Sequence, residues 1–131
     1  MTATDTAALY AGLNLLILLA LAILVVRQRL KGRVTFGDGD HPALRRAIRA
    51  HGNAAENIPA AVAALVAAAL AGAPVWAIHA GGGLLAISRI AHAQGLSATE
   101  GRSFGRTFGM LGTWIALILI AAAAIVAALA P

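Results

Sequence analysis

The stretch AALYAGLNLLILLALAILVV, residues 7–26, contains one strongly polar side chain, that of Asn14. A helix of about 20 residues is about 30 Å long, which is enough to cross the hydrocarbon core of a bilayer. A cleaved signal peptide would need positive residues ahead of the apolar run, but the preceding segment carries Asp5 and no lysine or arginine. The cations follow the run instead, so we predict a retained membrane helix over residues 7–31.

The composition of the whole chain points the same way. Hydrophobic residues make up 60% of the sequence and charged residues 11%, whereas soluble domains contain about 25% charged residues. An unusually apolar soluble bundle is the alternative, and the long apolar run argues against it. The net charge of +5 could suit a nucleic acid, but the cations lie beside apolar runs and aromatic residues are scarce, so we expect no nucleic-acid partner.

Three further helices are predicted, over residues 42–71, 74–94 and 104–129. Asp40 or His41 can cap the second helix, with Pro42 in its first turn, and Pro59 should kink it. Gly81, Gly82 and Gly83 fall inside the third helix and Gly105, Gly109 and Gly112 inside the fourth, where small residues allow close packing. Because helices satisfy their own backbone groups in lipid, the predicted fold is all-α: one domain over residues 1–131, an integral membrane four-helix bundle.

The positive charges indicate the orientation of this bundle. All ten lysines and arginines flank the connector before the second helix or the connector before the fourth. The N-terminus, the turn at residues 72–74 and the C-terminus carry none. Since positively charged connectors stay in the cytoplasm, we predict a multi-pass protein with both termini facing away from it.

The most informative polar residues lie in the second helix. At about 100° per residue, Arg49, Asn53 and Glu56 fall within about 60° of one another, on one face that Arg45 extends. His51 lies on the opposite side. Ionisable groups at this depth are costly unless they are paired, and the rise between Arg49 and Glu56 is about 10 Å, so they cannot pair with each other.

These groups therefore need partners from another helix, another subunit or a ligand. Candidates elsewhere in the chain are Arg89 and His92 in the third helix, Arg106 in the fourth, and Arg27 or Arg29 after the first. One interpretation is a polar network that holds helices together. The other is a pocket for a small anion with several carboxylates and one ammonium group, because arginine binds carboxylates by paired hydrogen bonds. No metal site is predicted, because the histidines lack ligand spacing and the chain has no cysteine.

The pattern Arg49-x3-Asn53-x2-Glu56-x2-Pro59, preceded by VTFGDG at residues 34–39, resembles the MAPEG family, the membrane-associated proteins in eicosanoid and glutathione metabolism. The segments RIAH at residues 89–92 and RTFGM at residues 106–110 resemble the third and fourth helix signatures of that family. The chain is most similar to its small bacterial members, and the resemblance spans nearly the whole sequence.

The resemblance implies a homotrimer in the inner membrane, with glutathione as cofactor between adjacent subunits near the cytoplasmic face. The residues that it assigns to glutathione binding lie on three helices and are Arg29, Arg49, Asn53, Glu56, Arg89 and His92. Glu56 would lie near the amino group, Arg29 and Arg89 near carboxylates, and Arg106 near the sulfur as the catalytic residue. The implied activity is that of a glutathione-dependent transferase or peroxidase acting on small apolar electrophiles in the bilayer.

One departure from the family pattern leaves the activity open. Catalytic members usually carry a tyrosine near the end of the third helix, where this chain has Leu96, and its single tyrosine is Tyr10. Catalysis would then depend on Arg106, or on Arg102, lowering the pKa of the thiol. The alternative is a non-catalytic membrane scaffold or lipid-binding protein of the same fold. A transporter is disfavoured, because the outer halves of the helices are almost purely apolar.

Overall fold

The computed structural model describes residues 1–130 and consists of four helices. They are α1 (Ala3–Gly32), α2 (Pro42–Leu70), α3 (Val75–Ala98) and α4 (Phe104–Leu129). No strand occurs among the described residues, so the predicted all-α bundle is confirmed. Pro131, the last residue of the predicted domain, lies outside the described residues.

Two helix ends differ from the prediction by four residues, each for a local reason, and three others differ by one residue. Helix α1 begins at Ala3 rather than at residue 7, because Thr2 and Asp5 form a capping box that satisfies the first backbone N–H groups. Helix α3 runs past residue 94 to Ala98. Gly95 does not end it, because Gly95 is the point where α3 meets the start of α4; a Cβ there would lie 2.7 Å from Ser103 Oγ.

The outer surface of the bundle is suited to lipid. Helices α1, α2 and α4 are long and apolar enough to cross a membrane. Large apolar side chains point outwards along α1 and α4, with Leu15 65% and Ile118 67% exposed. Such a surface would aggregate in water, whereas a bilayer covers it. Helix α3 is not among these candidates, and its crossing stays a prediction.

Helices α2 and α3 form the centre of the bundle. Each of them contacts the other three helices, whereas α1 and α4 do not touch within residues 1–130. The contact between α3 and α4 is the most extensive, and glycines make it close. A Cβ at Gly105 would lie 2.7 Å from the Ala91 carbonyl oxygen, and one at Gly109 would overlap the His92 backbone. The predicted glycine packing face on α4 is thus observed.

The two ends of the bundle differ in chemistry. The cationic end carries the two connectors, residues 33–41 and 99–103, which flank the arginine clusters. The apolar end carries both termini and the turn at residues 71–74, none of them positively charged in side chain. The larger hydrophobic core fills the apolar half, around Leu65, Leu85 and Ile120. A smaller core, around Leu21 and Ile58, underlies the cationic half.

Candidate functional site

A cavity of about 270 Å³ opens at the cationic end. Three helices and the second connector contribute its lining residues, which are Arg45, Arg46, Arg49, Asn53, His92, Leu96, Glu100 and Arg106. Four of these are arginines and one is an acid, so the cavity attracts anions. Its volume is just below the range typical of small-molecule sites, about 300–1,000 Å³.

Helical periodicity and close packing bring these side chains together. Arg45, Arg49 and Asn53 lie at intervals of four on α2, and therefore on one face. His92 and Leu96 repeat that spacing on α3. The absence of a side chain at Gly109 lets α4 lie against the backbone of His92, which places Arg106, one turn earlier on α4, at the cavity.

Arg46 and Arg45 connect the cavity to the two connectors. Arg46 Nε donates a hydrogen bond to the Ser97 carbonyl oxygen at 3.1 Å, and its Nη1 lies 3.9 Å from Glu100 Oε1. Arg45 Nε donates to Asp38 Oδ2 at 2.7 Å. That bond, together with the Asp40 N–H, holds the pKa of the Asp38 carboxyl below its ordinary value of 3.8. These bonds fasten the first connector and the end of α3 to the start of α2.

A buried network lies directly behind the cavity wall. Arg89 is 0% exposed. Its Nη2 donates to Asn53 Oδ1 at 2.8 Å and contacts His92 Nδ1 at 3.3 Å, while its Nη1 donates to Thr113 Oγ1 at 3.4 Å. Its Nε is buried with no partner among residues 1–130. The network joins α2, α3 and α4 at one point.

Two cavity arginines keep donor groups for a ligand. Arg49 is exposed and makes no ion pair or side-chain hydrogen bond with any described residue. Arg106 is half-buried, and among residues 1–130 its guanidinium donates only through Nη1, to the carbonyl oxygens of Glu100 at 3.2 Å and Gly101 at 3.3 Å. An anion entering the cavity would therefore meet the free Arg49 guanidinium and the remaining N–H groups of Arg106.

The structure brings together four of the seven predicted site residues. Arg49, Asn53, His92 and Arg106 line the cavity. Arg89 lies behind the wall, bonded to Asn53 and His92. Their roles toward a ligand stay predictions.

The other two predicted residues lie outside this cavity. Arg29 Nη1 donates to the Gly37 carbonyl oxygen at 3.0 Å, within the first connector. Glu56 is exposed on α2, and no described cation lies within 4 Å of it. Glu56 does not line the cavity, and its role toward a ligand stays a prediction.

Four lining residues were not among the predicted binders. Arg45 was placed on the same face of the second helix as Arg49 but was given no role. Arg46 is adjacent to Arg45, and sequence periodicity favoured Arg45 alone. Leu96 was noted only as the replacement for a tyrosine. Glu100 belongs to the second connector, where no periodicity indicates which way a side chain points. Its ion pair with Arg46 would have identified Glu100 as a lining residue, but that contact can be recognised only once the fold is known.

The single tyrosine is held far from this cavity. Tyr10 Oη and His79 Nδ1 share a hydrogen bond of 3.0 Å. The Tyr10 ring packs over Gly82, where a Cβ would lie 2.5 Å from the ring. The hydroxyl is thus engaged between α1 and the first half of α3, and it cannot reach the cationic cavity.

A second cavity, of about 330 Å³, lies at the apolar end. Its lining combines the 72–74 turn with the start of α3 and the end of α4, namely Gly72, Ala73, Pro74, Trp76, Ala77, Ala80, Leu119, Ala122, Ala123, Val126, Ala127 and Ala130. Ala80 and His92, the nearest lining residues of the two cavities on α3, are about 18 Å apart along the helix axis. The two cavities are therefore separate.

Comparison with known proteins gives one consistent result. The sequence model of the MAPEG family matches residues 7–126, a range that includes every residue lining the cationic cavity. The inner membrane protein YecN of Escherichia coli strain K12 is 41% identical over 113 residues, which cover 86% of this chain and 85% of YecN. The YecN protein of Escherichia coli O6:H1, strain CFT073, has the same identity and coverage.

Proposed function

The chain belongs to the MAPEG family, and on that premise we propose that it binds glutathione at the cationic end and transfers it to apolar electrophiles. The proposed location is the inner membrane, as the name of YecN suggests, with both termini facing away from the cytoplasm. This orientation places the arginine-rich cavity on the side where glutathione is abundant, in agreement with the distribution of positive charge.

The charge pattern of the cationic cavity carries the proposal. Glutathione has two carboxylates, one ammonium group and one thiol. The cavity offers guanidinium groups on α2 and α4 for the carboxylates. Glu100, its one acidic lining residue, is the alternative to Glu56 as partner of the ammonium if a single protomer holds the ligand. Arginine pairs with carboxylates through parallel hydrogen bonds. A neutral or cationic ligand would leave the arginines facing one another without compensation.

A homotrimer, which the family resemblance implies, would complete this site. Arg49 and Glu56 are both exposed, and neither has a partner among the described residues. They belong to the same face of α2 as Asn53. In the proposed assembly this face meets an adjacent subunit, so that glutathione lies between subunits with Glu56 near its amino group.

The proposed chemistry is nucleophilic attack by the glutathione sulfur. A cation beside the thiol lowers its pKa, so the proton leaves to water and a thiolate remains. The thiolate forms a sulfur–carbon bond with the electrophile, and the leaving group departs with the electron pair of the broken bond. With a hydroperoxide, two glutathione molecules are oxidised to the disulfide while the peroxide is reduced to an alcohol and water. Arg106 is the residue that we assign beside the sulfur.

The electrophile would reach the sulfur from the bilayer. The apolar cavity is not its site, because that cavity lies about 18 Å from the cationic one along α3. Apolar molecules partition into the lipid around α1 and α4, whose outer faces are exposed and hydrophobic. This route suits substrates that dissolve in membranes.

Glutathione affinity of the Arg49→Ala variant tests the binding step. Removing a free guanidinium that pairs with a carboxylate should weaken binding about 10- to 100-fold, from a loss of about 1.5–3 kcal/mol. The measurement is isothermal titration of protein in lipid nanodiscs. Arg27→Ala removes an exposed arginine that does not line the cavity, and it should bind as the wild type does. Equal affinity in all three proteins would refute the site.

The position of the ammonium group can be tested separately. If glutathione lies between subunits as proposed, Glu56→Gln weakens binding although Glu56 does not line the cavity of its own protomer. If a single protomer holds the ligand, only Glu100→Gln weakens it. The comparison of these two isosteric variants therefore decides between the shared site and a site within one protomer.

A second candidate function is binding without catalysis, as a membrane scaffold or lipid-binding protein. The observation that favours it is Leu96, a buried apolar side chain in the cavity wall, together with the remote position of Tyr10. Thiol consumption with a generic aromatic electrophile separates the two functions. Glutathione binding without turnover would support the scaffold. In that case Leu96→Tyr, which adds a hydroxyl donor for the thiolate, should restore activity at least about tenfold above the blank reaction.

A further inference from the structure

Arg89 is a charged side chain that is completely buried yet faces no opposite charge. It is 0% exposed. No aspartate or glutamate oxygen among residues 1–130 lies within 4 Å of its guanidinium. A buried charge without a counter-ion is costly, so the hydrogen bonds that it makes need an explanation beyond simple packing.

The guanidinium constrains the atoms that it contacts, because arginine has only donors. The atom of Asn53 that meets Arg89 Nη2 at 2.8 Å is Oδ1, the acceptor of that amide. The contact of Arg89 Nη2 with His92 Nδ1 at 3.3 Å is a hydrogen bond only if Nδ1 accepts. Thr113 Oγ1 also accepts from Arg89, and its own hydroxyl proton goes to the Gly109 carbonyl oxygen at 2.7 Å.

These bonds fix which polar atoms remain for the cavity. With Oδ1 of Asn53 engaged, the Nδ2 amide group is left, and it makes no hydrogen bond within the described residues. With Nδ1 of His92 accepting, the ring proton must be on Nε2, and the ring is neutral. Asn53 and His92 both line the cavity, so both can present N–H groups to it.

We propose that Arg89 is a positioning residue that makes this wall donor-only: it occupies the acceptor atoms of Asn53 and His92 and leaves the Asn53 Nδ2 and His92 Nε2 N–H groups for a carboxylate of the ligand. The wall thereby selects a carboxylate and rejects an ammonium group. In the glutathione site proposed above, on which this inference rests for the identity of the ligand, the ammonium is directed toward a glutamate and away from α3.

This role differs from direct contact with the ligand. A guanidinium with no exposed surface cannot pair with a carboxylate in the cavity. Its effect passes through Asn53 and His92, so replacing Arg89 should change the hydrogen-bonding character of the wall while the exposed cavity arginines stay in place.

The state of the His92 ring provides a test that needs no ligand. In protein labelled with ¹⁵N-histidine in nanodiscs, the ring of His92 should be neutral with its proton on Nε2. The His92 signal is identified by its absence from the spectrum of His92→Gln. Arg89→Lys keeps a donor-only side chain and should retain that tautomer, whereas Arg89→Met should give a mixture. A wild-type ring protonated on Nδ1, or charged at neutral pH, overturns the proposal.

A second test retains the buried arginine, in case Arg89 variants fail to fold. Asn53→Asp places a carboxylate against Arg89, so the protein should unfold at a higher temperature. The wall then presents carboxylate oxygen instead of an N–H, and glutathione affinity should fall at least tenfold. Asn57→Asp, one turn further along α2 and outside the cavity, is the matched control and should leave affinity unchanged. Unchanged affinity in Asn53→Asp overturns the proposal.

The specificity itself can be measured with a second probe, glutathione diethyl ester, in which both carboxylates are capped. Wild type should prefer the free acid, and Arg89→Met should lose part of that preference.

Failure of the proposed glutathione function can be distinguished from failure of the donor-only wall. A wild type with the Nε2 tautomer that binds no glutathione refutes the ligand and keeps the donor-only wall. A wild-type protein that binds glutathione but has the His92 proton on Nδ1 refutes the donor-only wall and keeps the proposed ligand.

Discussion

The two cavities of this protein are similar in size and opposite in lining. The cationic cavity measures about 270 Å³ and the apolar cavity about 330 Å³. Helices α3 and α4 contribute to both. At the apolar end they contribute alanines, Trp76 and Leu119, while at the cationic end they contribute His92, Leu96 and Arg106. The same pair of helices thus lines an apolar cavity at one end and the candidate site for an anion at the other.

The difference shows that free polar groups, rather than empty volume, distinguish a candidate site. At the apolar end, the Tyr10 hydroxyl is already bonded to His79. At the cationic end, the Arg49 guanidinium has no partner among residues 1–130. A cavity whose polar groups have no hydrogen-bond partner is suited to a polar ligand. An apolar cavity on a lipid-facing surface can instead be filled by acyl chains.

The largest expected effect separates two arginines at the cationic end. Arg106→Ala should lower the turnover of glutathione with an aromatic electrophile about 10²- to 10³-fold, because it removes the charge assigned to stabilise the thiolate. Arg102→Ala removes an exposed arginine outside the cavity and should retain activity. Steady-state rates at saturating glutathione make the measurement. A greater loss in Arg102→Ala would reverse the assignment.

The next effect concerns the packing that holds the cationic end together. Gly109→Ala puts a Cβ onto the backbone of His92, which cannot move aside, and should destabilise the protein by about 1–3 kcal/mol. Gly12→Ala, where a Cβ meets nothing within 4 Å, should be stabilising by up to about 1 kcal/mol. Unfolding in mixed micelles compares the two. Equal stability would mean that the close contact between α3 and α4 is not needed.

A smaller effect is expected from filling the apolar cavity. Ala77→Leu adds three carbon atoms to a cavity whose lining is apolar, so the free energy of unfolding should change by less than about 1.5 kcal/mol. Glutathione affinity should stay the same within about twofold, because the cationic cavity lies about 18 Å away along α3. A clear fall in affinity would show that the two ends are coupled.

The smallest effect is the pH dependence of the first connector. The pKa of Asp38 is held below 3.8 by the bond from Arg45. A lowered carboxyl pKa stabilises the fold above the ordinary value, and that stabilisation is lost as the pH falls through the lowered one. Asp38→Asn should therefore reduce the difference in melting temperature between pH 6 and pH 3. An unchanged difference would mean that the pair adds nothing at this exposed position.

The fold was largely predictable from the sequence, because lipid imposes strict requirements. The apolar run at residues 7–26 predicted a membrane helix, and the glycines of α4 indicated its packing face correctly. The ends were less predictable. The capping box at Thr2 starts α1 before the apolar run. Gly95 predicts a helix end from sequence alone, because its close contact with α4 depends on the packing of the two helices.

The candidate site was predictable where one helix carries it and unpredictable where helices meet. Helical periodicity placed Arg49 and Asn53 on one face. It could not show that Arg89, 36 positions after Asn53, bonds to it, because such contacts depend on how α2 and α3 pack. Glu100 was not identified at all, since a connector has no periodic pattern.

The position of α3 between α2 and α4 has a consequence for biosynthesis. Helix α3 is not among the helices that are long and apolar enough to cross a membrane by themselves, and a charged residue such as Arg89 near the middle of a lone membrane segment opposes insertion. Helix α4, whose Thr113 accepts a hydrogen bond from Arg89, is synthesised after α3. We therefore expect a nascent chain that stops before α4 to leave α3 outside the bilayer, and the two helices to enter together as a hairpin.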